Sequence, residues 1–399
     1  MSKIYYLLLA TLLVGCANLD SPDNSIQSGE DFLVKQMVSD FFCDVNPGSR
    51  AIDGPTIKKV SRTHYQIVGD TVIEVQSRAN VDSTTFDIAT VEFELRGNDG
   101  FAIVSDDERI NQVLFYTENG TLEQAKEIEP LQDLMQSYPQ MALIQPDSIK
   151  VGGQITPNDS IISGELIGGG IGNGNVLIGE NDPIPALILN PIVPYCWGQG
   201  YPFNICTPEI NGQKAPIGCV TIATAQTIAT IGKFKGTFYG TKNINFAGLP
   251  QKGKDMTESQ KQQVASFCHE IALCCQIQFG ATQSGAFIKA VYHYLTDMGY
   301  QCVYEEGAVN IRKVINEINQ GYPHLIAGRN DTDGHMWVID GVITRPTYQY
   351  HCNWGWNGTC DGWTTSTPFT ATGINSEGEI TETIFNKNIQ NIYINSINF

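Results

Sequence analysis

Basic side chains are scarce in this chain: 24 lysines and arginines stand against 42 aspartates and glutamates, a net charge of −18 over 399 residues. The excess is uneven. Residues 1–190 hold 27 acidic and 11 basic side chains, and residues 191–399 hold 15 and 13. Neither half offers a clustered Lys/Arg face of the kind that neutralises a phosphate backbone, which excludes nucleic acid as a partner. Solubility accounts for the acidity. Long apolar runs are lacking too. The one candidate, Ile4–Val14, is too short to span a bilayer as an ordinary helix. Paired Cys-x-x-Cys spacing is missing despite eleven cysteines, so no metal site is expected, and no cofactor is implied.

What is present begins with a targeting segment. Lys3 precedes the apolar stretch, which ends in Leu13-Val14-Gly15-Cys16. A small residue before a cysteine at the end of such a core resembles a bacterial lipoprotein signal. Cys16 is then the lipidation site, and the expectation is an exported protein held at a membrane by lipid, retained at the cell surface or released after maturation. Residues 17–29, rich in Ser, Asp and Asn, read as a tether.

Residues 30–143 read as a small α+β unit. Apolar residues at helical spacing run from Glu30 to Phe42. Alternating strands follow at His64–Val68, Thr71–Val75, Val91–Leu95 and from Gly100, and a second helix spans about Leu131–Leu143. Its histidine, His64, sits in a strand context and carries no catalytic cluster. Residues 144–190, broken by Pro146, Pro157 and Gly168-Gly-Gly170, read as a linker open to proteolysis. A second domain follows over 191–399: helices at Val220–Ile231, Lys261–Gln278 and Gly285–Met298, then strands at Pro323–Gly328, His335–Thr344, Tyr348–Trp354, Trp363–Thr365 and Ile389–Ile397. A helical half followed by a sheet-rich half predicts two lobes with a cleft between them.

Cys219 is the residue around which chemistry can be built. It follows Gly218 and opens the run that stops at Gly232. At a helix N-terminus the macrodipole and free N–H groups favour a thiolate. The many β-branched residues of the run argue for strand, so the helix requires tertiary packing to override propensity. Five histidines could serve it. His269 and His293 fall on predicted helices and His324 at a strand start; His351 alternates with Cys352. His335 opens a strongly apolar strand after a polar loop, a rim position from which an imidazole faces a cleft. Nine cysteines remain besides Cys16 and Cys219; Cys196/Cys206 and Cys352/Cys360 are the nearest pairs, bridged or free.

Several segments occur together in one order: Trp197-Gly-Gln-Gly-Tyr-Pro-Phe-Asn204, Gly218-Cys-Val220 through Gln226, Gly334-His335 with Val338-Ile-Asp-Gly341, and Asn353-Trp-Gly-Trp356. Together they resemble the streptopain family of papain-like cysteine peptidases. Gly100-Phe-Ala-Ile-Val-Ser-Asp-Asp107 is similar to that family's propeptide. The resemblance implies a papain-like catalytic domain, a helical lobe plus an antiparallel sheet lobe, behind an inhibitory α+β propeptide domain.

It further implies that Cys219 is the nucleophile and His335 its acid–base partner. Gln199 and the Cys219 N–H would form the oxyanion hole, Asn353 would orient the imidazole, and Trp354 would shield the pair. Ser284, Gly285 and Gly334 would line the substrate cleft. The expected activity is that of a cysteine endopeptidase on protein or peptide substrates, made as a zymogen inhibited by its own propeptide. A catalytically silent binding or inhibitory protein on the same fold is the alternative, and a thiol transferase a third reading. Oxidation of Cys196, Cys206 and Cys352 is a further expectation, as a lock on the cleft walls.

Overall fold

The computed structural model describes residues 29–49, 53–76, 84–143, 177–179, 182–233, 244–329, 334–366, 372–374, 380–382 and 389–398. The expected signal and Cys16, the tether up to residue 28, and linker residues 144–176 and 180–181 lie outside the described residues. Among the described residues no helix is long and apolar enough to cross a membrane.

The acidic half is a helix laid on an antiparallel meander. Helix α1 (Gly29–Val45) buries Val34, Val38, Phe41 and Phe42 from one face. Strands β1 (Thr56–Val68), β2 (Thr71–Val75), β3 (Thr85–Leu95), β4 (Asn98–Ser105) and β5 (Gln112–Thr117) follow. The β3–β4 turn is two residues, Arg96 and Gly97, both at positive φ (52° and 83°), the backbone twist that suits a tight hairpin. Helices α2 (Leu122–Lys126) and α3 (Glu129–Ser137) cover the sheet. The helix expected over Leu131–Leu143 starts two residues earlier and tightens to a 3-10 turn at Tyr138–Leu143. Pro139 explains the change, since it has no N–H to continue the α-helical ladder.

The second half contributes β6 (Ile188–Leu189), the short hairpin β7 (Glu209–Ile210) and β8 (Gln213–Lys214), and helices α4 (Cys219–Ile231) and α5 (Glu258–Cys274). The bridge pair β9 (Gln278–Phe279) and β10 (Ser284–Gly285) leads to α6 (Ile288–Asp297) and β11 (Tyr300–Glu306). Next come α7 (Ile311–Asn319), β12 (His324–Arg329), β13 (Gly334–Ile343), β14 (Gln349–Asn353), β15 (Gly362–Thr365), β16 (Thr372–Ile374), β17 (Ile380–Glu382) and β18 (Gln390–Ile397). Helix α7 stands where only strands were expected. Its N-cap Asn310 accepts from the Arg312 and Lys313 N–H groups, and Ile311, Val314, Ile315 and Ile318 form its buried stripe.

One sheet spans both halves. Its order is β11-β18-β12-β13-β14-β15-β5-β4-β3-β1-β2, with β6 against β13. The join is β15 to β5, where Trp363 faces Tyr116 and Thr364 faces Phe115. Core residues cross the same seam. Phe86, Phe101 and Phe115 share a cluster with Trp337, Tyr350 and Trp354, and Phe41 and Phe93 share another with Ile343 and Trp363. Helix α4 packs on α5 and β13 in a third cluster, so the residue that opens α4 meets the strand that β13 begins.

Candidate active site

Burial is why the β-branched run over 219–231 is helical. Every residue from Cys219 to Ala229 is buried, in a cluster with Trp197, Phe267 and Ile271, and that packing overrides weak propensity. Gly232 ends the helix in the left-handed conformation, φ 65°. Gly218 is the N-cap at φ 94°, ψ 145°, and a Cβ there would lie 2.7 Å from the Ser284 carbonyl oxygen. Glycine lets the cleft wall at Ser284-Gly285 close against the start of the helix.

His335 hydrogen-bonds to the Cys219 thiol. Its Nε2 lies 2.9 Å from the Trp354 carbonyl oxygen. A carbonyl only accepts, so Nε2 carries the proton, and Nδ1 is the nitrogen left for sulfur. Burial alone pushes the Cys219 thiol up. The charge and hydrogen bond of His335, with the Met336 and Val220 N–H groups, outweigh it and bring the thiol below its ordinary value. Burial likewise pushes His335 down, but the Cys219 charge and hydrogen bond, the Trp354 carbonyl and the Glu129 carboxylate raise it overall. The two shifts run toward each other, which favours a thiolate–imidazolium pair.

Gln199, Ser284, Gly285 and Gly334 line the same cleft as Cys219 and His335. Asn353 does not reach the imidazole. Its Oδ1 accepts from Gln226 Nε2 (3.0 Å) and the Gly355 N–H (3.1 Å), and its Nδ2 donates to the Tyr195 carbonyl (2.9 Å). The physical reason is its place at the paired end of β14 opposite Val338, where its side chain is buried behind the cleft. It holds the next peptide instead. The Gly355 N–H it holds and the Trp354 C=O that meets His335 belong to one planar trans unit and point in opposite directions. Trp354 thus contributes its carbonyl, while its indole is buried and donates to the Cys360 carbonyl at 2.9 Å.

Other residues of this region escaped the sequence reading. Trp337 lies nearly parallel to the imidazole, at 6.2 Å between centroids and 14°, and Trp354 packs behind it at 5.6 Å. Trp337 sits two residues after His335, on the same strand face, which was a usable signal. Gln226 ties the site together, bonding the Trp197 N–H as well as Asn353. Glu127, Glu129 and Pro130 of the acidic half also line the cleft, as does Phe287, 85% exposed. All ten described cysteines are free thiols, so neither near pair is bridged. His64 and His324 are held by Asp87 and Glu317, and His351 by Asp340.

Known proteins resemble this chain over the same region. Residues 197–364 match the Peptidase C10 family, and residues 88–142 match the Spi protease inhibitor. The chain is 25% identical to the thiol protease/hemagglutinin PrtT of Porphyromonas gingivalis over 297 residues, 66% of this chain and 32% of that protein. It therefore spans about a third of the length of that relative. It is also 25% identical to streptopain of Streptococcus pyogenes over 306 residues, 66% of this chain and 70% of the relative. Among solved structures, a fragment of Prevotella intermedia prointerpain A superposes with a TM-score of 0.50 at 18% identity, covering 76% of this chain and 94% of the fragment. The fold is that of a papain-like peptidase preceded by a propeptide-like α+β domain.

Proposed function

Since residues 197–364 match the Peptidase C10 family, we propose that this protein is a cysteine endopeptidase made as a zymogen. The observation that carries the reading is the Cys219–His335 pair, at the mouth of α4 and the start of β13, with His335 anchored on the Trp354 carbonyl. The Cys219 thiolate attacks a substrate peptide carbonyl. The resulting oxyanion is received by the Cys219 backbone N–H and the Gln199 side-chain amide. His335 passes its Nδ1 proton to the leaving amine, and an acyl-enzyme thioester forms. A water then attacks that thioester with His335 as general base, releasing the acid and restoring the thiol pair. Ser284, Gly285 and Gly334 form the walls along which a protein substrate lies, and no cofactor takes part.

The zymogen reading rests on the cleft's other lining. Glu127, Glu129 and Pro130 stand in the same space a substrate needs, so the N-terminal domain 30–143 is the inhibitor and a cut in the 144–190 linker begins maturation. Export as a lipoprotein anchored through Cys16 completes the proposal.

The test is hydrolysis of a casein-type substrate under reducing conditions, with and without brief trypsin treatment. Activity is expected after trypsin and absent in Cys219→Ala, which should also lose self-cleavage of the linker. Full-rate cleavage by that variant would refute the reading.

A further inference from the structure

The Trp354 carbonyl that orients His335 sits on a loop with little rigidity of its own. Gly355 and Gly358 adopt φ of 75° and 80°, and Asn357 and Cys360 are also at positive φ, 57° and 58°. Such a segment has many conformations available, so something must fix Trp354. The Trp354–Gly355 peptide is held by Asn353. The preceding peptide is held by Asp361: the Trp354 N–H donates to its Oδ1 at 2.9 Å. With both flanking planes fixed, φ and ψ of Trp354 are fixed, and the carbonyl in the second of those planes has one direction.

We infer that Asp361 is a positioning residue of the peptidase site, its carboxyl oxygen holding the Trp354 backbone so that the Trp354 carbonyl stays aimed at His335. The inference rests on the peptidase reading above and deepens it. Asp361 touches neither the cleft nor the Cys219 sulfur, and its effect on His335 runs through Trp354. Further contacts tie the loop beside it, among them the Trp354 indole to the Cys360 carbonyl, the Cys360 N–H to the Asn119 carbonyl at 2.7 Å, the Asn119 amide to the Gly358 carbonyl at 2.7 Å, and the Thr117 hydroxyl to the Asp361 carbonyl at 2.7 Å.

The charged and titratable groups around Asp361 are His351 on β14, Asp340 on β13, and the thiols of Cys196, Cys352 and Cys360, with Glu118 beyond His351. Burial and the Asp340 charge push its carboxyl up to about 7 against the pull of the Trp354 N–H and His351. In either protonation state an oxygen remains to accept from Trp354.

The experiment uses the full chain nicked with trypsin, in wild type, Asp361→Asn and Asp361→Leu. Asparagine keeps an acceptor oxygen; leucine is close in shape and has none. Loosening the carbonyl weakens support for the imidazolium, so thiolate formation at Cys219 moves to higher pH. D361L should lose kcat by about tenfold with KM little changed, the scale of one hydrogen bond to a charged group. Its onset of iodoacetamide alkylation at Cys219 should move upward in pH, while D361N restores both most of the way.

A purely structural role would lower the melting temperature without moving that onset. Should D361L not fold, Asp361→Ser, whose hydroxyl falls short of the Trp354 N–H, takes its place. A folded variant without the acceptor whose onset and kcat match wild type overturns the inference. Slow, thiol-like alkylation of Cys219 in wild type would instead overturn the peptidase reading itself.

Discussion

Replacing Gly218 by alanine tests the idea that helix α4 and the cleft wall were fitted to each other without a side chain between them. Two costs arise. At φ 94°, ψ 145° the backbone occupies a region that L side chains rarely adopt, worth about 1–3 kcal/mol of strain. The new Cβ would also stand 2.7 Å from the Ser284 carbonyl oxygen, a backbone atom with no rotamer to escape into. Wall and helix must part by about half an ångström, and the sum is roughly 2–4 kcal/mol.

For a chain of this size, with an unfolding entropy near 2.1 cal/mol/K per residue, that lowers the melting temperature by roughly 2–5 °C. On the proposed mechanism the kinetic effect should be larger, because the displaced parts carry Cys219 and the cleft wall at Ser284. With a 1 Å misplacement worth about a hundredfold, a shift of this size should reduce kcat/KM by about tenfold. Differential scanning calorimetry reads the first effect and peptide hydrolysis the second. Gly307→Ala is the control: Gly307 has φ 105° with nothing within 4 Å of a built Cβ, so it carries strain without collision. If Gly218→Ala costs no more in either assay than Gly307→Ala, the fitted-wall argument is wrong.

His335→Gln should leave burial as the main influence on the Cys219 thiol, moving its titration above the ordinary cysteine range and slowing alkylation at pH 7 by at least about tenfold. In wild type the reactive pair exists between the lowered thiol pKa and the raised imidazole pKa, so activity falls at low pH as the thiolate is protonated and at high pH as His335 loses its proton. Glu129→Gln in the uncut chain removes a carboxylate that raises His335, so the imidazole, followed by NMR, should titrate lower; no such difference should remain once the N-terminal domain has been removed. Asn353→Ala leaves the Tyr195 carbonyl, the Gln226 amide and the Gly355 N–H without their partner, a loss of roughly 2–4 kcal/mol that thermal melting should detect.

Cys219 and His335 were legible as candidates because each sits where a local pattern changes: Cys219 between a glycine and a run stopped by Gly232, His335 between a polar loop and an apolar strand. Orientation was not legible. Whether Asn353 presents its amide, or Trp354 its carbonyl, depends on which way one peptide plane faces at the end of β14, and no residue type dictates that. Helix α7 was hidden because its stripe of four aliphatic residues is short and lies among strands. The β15–β5 pairing was also invisible, since Tyr116 and Trp363 lie far apart in the chain and strand pairing leaves no local mark on either.

That pairing bears on how such a precursor would come apart. A nick in the connecting segment would at first free only two chain ends, because the backbone ladder between residues 112–117 and 362–365 and the aromatic packing behind it would hold until the two parts separate. Scission and separation are then distinct events, and the slower is the peeling of one edge from a continuous sheet. The seam left behind, Gly362 to Thr365, is an unprotected strand edge awaiting a new neighbour.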